Sequence, residues 1–405
     1  MTLARATPYL VLVVLVIGIT VVFLVQDAES PTPAPPPGPL TSLAPILRGL
    51  EERETAETDA GILVLRAMDG VLDDPRPVIR EALAHEDWAV QWAGLLAIPR
   101  YGESDADLAQ ALKPLLGVSQ ARIRAGAARA AGYLRESDLE PVVEDLVARF
   151  EDEDARVRGA ALATMARRSA MHPELVPAWL EALKDEVAAC RVQAARGLSQ
   201  IELQEKLESD ALASVRDALL AVLEDPSEEV RIYVVMALGR TGSAAAPAIP
   251  QLVALLDDDD PLLRGQAATT LGSIGAAALP ALEEALAADD GTRAPSLLWA
   301  LRLMGEPGRP ALRRARDTRS PLVRVLAAQQ LWELGDDVPT AVQVLTTHVG
   351  HADVAVQLVA IRILGRMGTE GASAIPALEQ LADHEDERVV EAAARAAERL
   401  RQAGK

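Results

Sequence analysis

Cysteine, asparagine and aromatic residues are scarce or absent in this chain of 405 residues. The single cysteine, Cys190, excludes an internal disulfide framework and any zinc site built from cysteines. With two Phe, four Tyr and five Trp, the chain has few of the bulky side chains that fill one large core. Ala, Leu, Val and Arg dominate instead, a mixture that favours many small interlocking helices. The lack of Asn and the low share of Lys are typical of a GC-rich bacterial genome.

Positive charge is also in deficit, with 40 Lys and Arg against 60 Asp and Glu and a net charge of −20. Nucleic-acid binding needs a basic face that neutralises phosphates, so this balance argues against a nucleic-acid partner. The sequence contains no dinucleotide-binding or Walker motif and no G-x-S-x-G elbow. It therefore predicts no enzyme active site and no cofactor.

One long uncharged apolar run, residues 8–25, lies near the N-terminus and is about long enough to cross a bilayer. Arg5 precedes the run, and Asp27 and Glu29 follow it. The positive-inside rule then predicts a single-pass protein of the cytoplasmic membrane, with the N-terminus inside and the rest extracytoplasmic, periplasmic if the protein is bacterial. We assign residues 1–26 to this anchor, with a cleaved signal peptide as the alternative. The Pro-rich residues 27–39 predict a stiff spacer.

A repeat occupies residues 40–405, where an apolar helix, an acidic turn and an Ala-rich second helix recur. We mark each repeat at the residue after the Val or Leu that opens the second helix. The marks, mostly 33 or 34 residues apart, are Gln91, Arg124, Arg158, Arg191, Arg231, Arg264, Leu297, Arg324, Gln357 and Val390. With an atypical pair at 40–73, they predict about eleven helix pairs.

Glycine and proline agree with this register. Eleven positions after a mark, glycines predict helix ends with a left-handed residue: Gly242, Gly275, Gly308, Gly335 and Gly368. Prolines in several units predict the first turn of a first helix: Pro250, Pro310 and Pro376.

The pattern resembles HEAT repeats, especially the short bacterial phycobilisome lyase HEAT-like repeats. This resemblance implies an all-α solenoid, a superhelix of antiparallel helix pairs whose second helices line the concave side. It also implies that the recurrent Arg forms a hydrogen-bonding ladder between repeats, which Leu297 and Val390 interrupt. One helix pair cannot bury its apolar stripe alone, so stacked neighbours must supply the core.

Three histidines suggest metal binding at first sight, but each stands six residues before a mark, where other repeats have Asp. These residues, His85, His351 and His384, are better interpreted as capping residues of the turn. A weak site formed by His348, His351 and Asp353 is the alternative, and we predict no metal. Cys190 takes a core position of its helix and is expected to be inert.

The second helices carry a more informative pattern, because positions +2, +5 and +9 from the mark point away from the core. We call the residues at one such offset from all ten marks a row. Half of the twenty positions in rows +5 and +9 are Arg, although the protein as a whole has a negative net charge. The candidate partner-binding residues on these rows are Arg100, Arg129, Tyr133, Arg167, Arg196, Tyr233, Arg240, Trp299, Arg302, Arg362, Arg366 and Arg395. Arginine forks suit carboxylates, so these rows predict a groove for an acidic peptide or protein partner. The alternative is a solvated face on which Arg pairs with Glu of adjacent helices.

Together these features predict a membrane-anchored scaffold that binds a protein partner without catalysis. The alternative is an enzyme accessory or lyase-like protein, since some proteins with similar repeats attach bilin chromophores.

Overall fold

The computed structural model describes residues 40–50, 74–101, 107–289 and 291–404, with Ala60, Val64, Ala67 and Met68. All regular structure in these ranges is helical. The α-helices, in chain order, are α1 (Ala44–Leu50), α2 (Arg76–Leu83), α3 (Trp88–Tyr101), α4 (Asp107–Leu112), α5 (Ala121–Ala131), α6 (Glu136–Leu139), α7 (Val143–Ala148), α8 (Ala155–Ala166), α9 (Val176–Ala182), α10 (Ala188–Gln200), α11 (Leu203–Lys206), α12 (Ser209–Ala221), α13 (Glu228–Arg240), α14 (Ile249–Ala254), α15 (Pro261–Ile274), α16 (Leu279–Ala288), α17 (Ala294–Leu303), α18 (Arg309–Arg316), α19 (Pro321–Glu333), α20 (Val338–His348), α21 (Val354–Leu364), α22 (Ile375–Glu379) and α23 (Glu387–Ala403).

Short 3-10 helices extend or join many of these α-helices. They are Thr41–Leu43, Lys113–Gly117, Glu140–Val142, Arg149–Glu151, Ser169–Met171, Pro173–Leu175, Gly242–Ala248, Leu255–Asp257, Gly275–Ala278, Glu306–Gly308, Gly368–Ala374 and Gln380–Asp383. The predicted anchor and spacer, and most of the atypical pair at 40–73, lie outside the described residues.

The second helices of the repeats form one continuous row. They are α3, α5, α8, α10, α13, α15, α17, α19, α21 and α23, and each packs against the next in this order. Each also packs against the first helix of its own repeat. Nearest-neighbour packing of this kind is what defines a solenoid. The predicted α-solenoid is confirmed over the described residues.

Proline and glycine mark helix ends largely as predicted. Pro250, Pro310 and Pro376 stand in the first turn of α14, α18 and α22, where a missing N–H leaves no intrahelical bond unmade. The predicted left-handed glycine is wrong in one repeat, because Gly305 there has φ +67° and Gly308 does not adopt a positive φ. Gly308 serves close packing instead, since a Cβ on it would overlap the Leu301 carbonyl.

Small and aliphatic side chains fill the core, which divides at α19. One cluster of buried residues runs from Leu40 to Leu331, and a second runs from Val325 to Leu400. Val323 and Val325 of α19 belong to different clusters, so this helix is shared between the two. Burial of apolar surface between neighbours is the main stabilising contribution in such an array.

An arginine ladder links consecutive repeats in the N-terminal half of the array. Arg158 donates from Nε and Nη2 to Asp185 of the next turn, at 2.6 and 2.9 Å, and from Nη1 to its own turn carbonyl at Asp152, at 3.0 Å. The pairs Arg124–Asp152 and Arg191–Asp225 repeat this geometry.

The ladder does not extend to every marked arginine. Arg264 donates to the Asp258 and Asp259 carbonyls of its own turn and forms no ion pair among the described residues, and the matching position of the next turn is Gly291. Arg231 likewise donates to the Asp225 carbonyl, with no ion pair to Asp258 among the described residues.

The three turn histidines replace aspartate as predicted. In other repeats the Asp accepts the backbone N–H two residues later, as Asp185 accepts that of Val187 at 2.8 Å. Nδ1 of His85, His351 and His384 accepts the corresponding N–H at 2.9, 3.0 and 3.0 Å. These rings satisfy N–H groups at the start of a helix, which accounts for their position without a metal.

One continuous helical stretch among the described residues, Pro261–Ala288, is long and apolar enough to cross a membrane by length and composition. Gly275, with φ +76°, divides it into α15 and α16. Both halves pack against neighbouring repeats, so the stretch is one unit of the stack. The predicted anchor at residues 8–25 lies outside the described residues.

Candidate functional site

We call the surface formed by rows +5 and +9 of the second helices the second-helix face. All twelve candidate residues lie on it or on the adjacent row +2, and none is fully buried. The geometry divides most of them into three groups according to their position along this face.

The first group lines a cleft of about 390 Å³ across α3, α5 and α8, which we call the N-terminal cleft. Arg129, Tyr133 and Arg167 contribute its polar wall, and Tyr133 is 48% exposed. Leu96 and Pro99 contribute an apolar wall. The cleft thus combines positive charge with a surface suited to an apolar or aromatic side chain.

Arg167 gives this cleft its electrostatic character. Burial against the cleft wall lowers the pKa of Arg167, and the nearby charges of Arg168 and Arg196 lower it further. Arg168 is neutralised, since its Nε lies 3.0 Å from Glu136. No carboxylate of the described residues forms an ion pair with Arg167 or Arg196. Arg167 and Arg196 therefore repel each other, and neither has a counter-ion among the described residues.

The second group, in the middle of the face, is paired internally. Arg240 donates to Glu202 at 2.5 Å and to the Ser199 carbonyl at 2.9 Å. Arg302 and Arg366 share Glu333, at 3.4 and 3.6 Å. Here the interpretation of Arg paired with Glu of adjacent helices fits the geometry.

The third group lines a cleft of about 380 Å³ between α21 and α23, which we call the C-terminal cleft. Arg362, Arg395 and Arg399 border it, and Leu358 and Ile361 form its floor. Arg395 has Glu391 of its own helix at 3.3 Å. Within the described ranges, Arg362 and Arg399 form no ion pair.

The remaining candidates do not join a cleft. Arg100 is exposed near the end of α3 and does not line the N-terminal cleft. Tyr233 and Trp299 are half-buried, and a Cβ on Gly265 would lie 3.4 Å from the Trp299 ring. This contact makes Trp299 a packing residue between neighbouring helices.

Sequence reasoning missed Trp92, which lines the N-terminal cleft and carries the Arg122 guanidinium 4.5 Å above its ring. Trp92 directly follows a mark, a position that the outward rows do not include. Reasoning from Arg alone also missed Glu333, although Glu333 stands on row +9.

The described residues give little support for a metal site or a reactive thiol. They contain no group of three His, Cys, Asp or Glu side chains suited to a metal ion. The rings of His348 and His351 stack with centroids 5.9 Å apart, and His348 Nδ1 bonds the Val344 carbonyl at 2.7 Å. Burial, and then the charge of Asp185, raises the pKa of the Cys190 thiol to about 11, as expected of an inert core cysteine.

Comparison with known proteins identifies the repeat. A family profile described as HEAT repeats matches residues 216–302 and 308–398. No curated protein matches the chain.

The fold is similar to that of the karyopherin Kap121p bound to the extreme C-terminus of the protein phosphatase Cdc14p. The TM-score is 0.56 at 14% identity, over 91% of this chain and 46% of the karyopherin. A mutant of Kap121p gives the same TM-score over 90% of this chain. An engineered protein of the Northeast Structural Genomics Consortium has a TM-score of 0.45 at 19% identity, over 90% of this chain and 99% of that protein.

The finer resemblance to lyase-type repeats stays a prediction. The matched family, the register and the row of stacked helix pairs agree with one another, and residues 216–302 and 308–398 of the chain are HEAT repeats.

Proposed function

We propose that this protein is a scaffold that binds an acidic segment of a protein partner on its second-helix face, without catalysis of its own. The observation that carries the proposal is Arg167, which borders the N-terminal cleft beside Tyr133 and has no carboxylate partner among the described residues. A carboxylate supplied by a partner would relieve the repulsion between Arg167 and Arg196.

The neighbouring side chains make the same cleft suitable for an interface anchor. Tyr133, which is exposed, offers aromatic surface, and Leu96 and Pro99 complete an apolar wall. Interface energy concentrates in such clusters of aromatic residues and arginine. Kap121p, a similar fold, holds a protein segment, the extreme C-terminus of Cdc14p, which supports protein binding by an array of this kind.

The test measures binding of a fluorescein-labelled peptide built from Glu and Asp around a central Phe, by fluorescence anisotropy with the repeat protein. Arg167→Glu is expected to weaken binding at least about tenfold, because reversal adds repulsion to the lost ion pair. Arg319→Glu is the matched control, since Arg319 is also exposed but lies in the turn before α19, away from the second-helix face. Equal affinity of wild-type protein and Arg167→Glu, or equal binding of the same peptide with Ser in place of its acids, would overturn the proposal.

We also propose that residues 8–25 anchor the scaffold in the cytoplasmic membrane and leave the repeats extracytoplasmic. The uncharged run and its flanking charges support this orientation. Alkaline extraction of membranes should leave the full chain in the pellet and release a variant that lacks residues 8–25. Protease added outside intact spheroplasts should digest the repeats. Release of the full chain would contradict the anchor, and protection from protease would contradict the orientation.

A further inference from the structure

We propose that the partner segment is bipartite, with two acidic clusters that occupy the N-terminal and C-terminal clefts together. This inference rests on the proposed function and adds the spacing of the ligand. Both clefts lie on the same face, because both are bordered by rows +5 and +9 of second helices.

The two clefts share a chemical pattern that the surface between them lacks. In each cleft, arginine without an ion pair among the described residues stands beside apolar surface: Arg167 near Leu96, and Arg362 near Leu358. Each can therefore hold a carboxylate together with a neighbouring apolar side chain.

Apart from Arg196, which lies close to Arg167 at the edge of the N-terminal cleft, the surface between the clefts is neutralised or polar. Arg240 is paired with Glu202, and Arg302 and Arg366 share Glu333. A third cleft, of about 370 Å³, is lined there by Arg240 together with Glu202 and Glu205, and otherwise by uncharged groups such as Thr269. An acidic ligand gains little from this stretch, so its contacts concentrate at the two ends.

The number of helices between the clefts sets the spacing of the ligand. Seven steps of the row separate α5 from α21. At roughly 8–10 Å a step, the path along the face is on the order of 60 Å. A polyproline spacer rises about 3.1 Å a residue, so about twenty residues match this path.

The experiment uses three labelled peptides and the same anisotropy assay. One peptide carries a single acidic block around Phe, and two carry a pair of such blocks joined by Pro-rich spacers of about six or about twenty residues. The long-spacer peptide is expected to bind at least about tenfold more tightly than the short-spacer peptide, because its second block binds intramolecularly. Light scattering should show one peptide per protein molecule.

Two sets of variants assign the blocks to the clefts. Arg167→Glu alone, or Arg362→Glu with Arg399→Glu, should each reduce the affinity of the long-spacer peptide to that of the single block. Far-UV circular dichroism checks that these exposed substitutions leave the helices intact. Arg319→Glu should leave all three affinities unchanged.

The outcomes separate this inference from the proposed function. Equal affinity of the two spacer lengths, or two protein molecules bound to one peptide, would overturn the bipartite ligand while the single-block affinity still supports the scaffold. Binding of none of the acidic peptides would overturn both.

Discussion

Arg124 of one repeat and Asp152 of the next form a bidentate ion pair inside the stack, with Nε–Oδ2 and Nη2–Oδ1 distances of 2.8 and 2.7 Å. The exposed fractions of the two side chains are 5% and 3%. Oδ1 of Asp152 also accepts the backbone N–H of Asp154, at the start of α8. A single carboxylate therefore joins two repeats and holds the turn that leads into α8, whose N-cap is Asp154.

Substitution Asp152→Ala should lower the free energy of unfolding by about 3 kcal/mol, because the buried charge of Arg124 loses its bidentate partner and keeps only the exposed carboxylate of Glu153, at 3.3 Å. The exposed Arg156–Asp154 pair is the matched control, and Arg156→Gln should cost at most about 1 kcal/mol. Urea denaturation measures both, and hydrogen exchange over residues 121–166 locates the loss. Similar effects of the two substitutions would show that the ladder is not a main contributor.

Most of the fold could be predicted from the sequence, because the information that specifies a helix pair is local and recurs. The marks, the Asp and His turns and the first-turn prolines all depend on residues within one repeat. Gly308 shows the limit, since the left-handed residue moved to Gly305 in a repeat whose mark is Leu297.

The candidate site was less predictable, because pairing depends on residues in different repeats. Glu333 lies 31 residues after Arg302 and 33 before Arg366, and only the packing of α17, α19 and α21 brings the three together. The composition of rows +5 and +9 indicated many arginines but could not separate paired from unpaired ones. The division into two basic clefts is therefore a structural result.

Acid should weaken the ladder in a defined pH range. Hydrogen bonds from Arg191 lower the pKa of Asp225, against an opposing effect of burial. The unfolded chain has an ordinary Asp pKa of about 3.9, so the stabilisation is full above that pH and is lost as the pH falls through the lowered folded pKa. The difference in unfolding free energy between wild-type protein and Asp225→Asn should shrink from pH 7 to pH 3. A constant difference in urea titrations over this range would contradict the linkage.

Substitution of His351 by Asp should add a further ion pair to the arginine ladder between repeats. His351 stands six residues before the mark of the next repeat, the position that pairs with the marked Arg324 in the ladder. The buried Nε of Arg324 has no hydrogen-bond partner among the described residues. We expect His351→Asp to form the missing ion pair and to raise the unfolding free energy by about 1–2 kcal/mol, while Asp still caps the turn.

His384→Asp is the control for this substitution, because its register partner Gln357 donates to the Val349 carbonyl at 2.6 Å and carries no charge. Thermal denaturation should show a higher midpoint for His351→Asp only. Equal midpoints would indicate that Arg324, like Arg231, does not reach the next turn.

Two helical glycines should respond oppositely to alanine. A Cβ on Gly197 of α10 would lie 2.9 Å from the ring of Trp179, which is fully buried and packs against Phe150 at 4.9 Å between ring centroids. Gly197→Ala should therefore lower the free energy of unfolding by about 1–3 kcal/mol, because neither the ring nor the helix can move without disturbing its neighbours.

Gly159 of α8 is the control, because the nearest atom to a Cβ there is Cys190 Sγ at 3.8 Å, an ordinary contact. There the higher helix propensity of alanine should raise stability by up to about 1 kcal/mol. Urea denaturation of the two variants measures both effects, and a loss of similar size at both positions would contradict close packing of Trp179 as the cause.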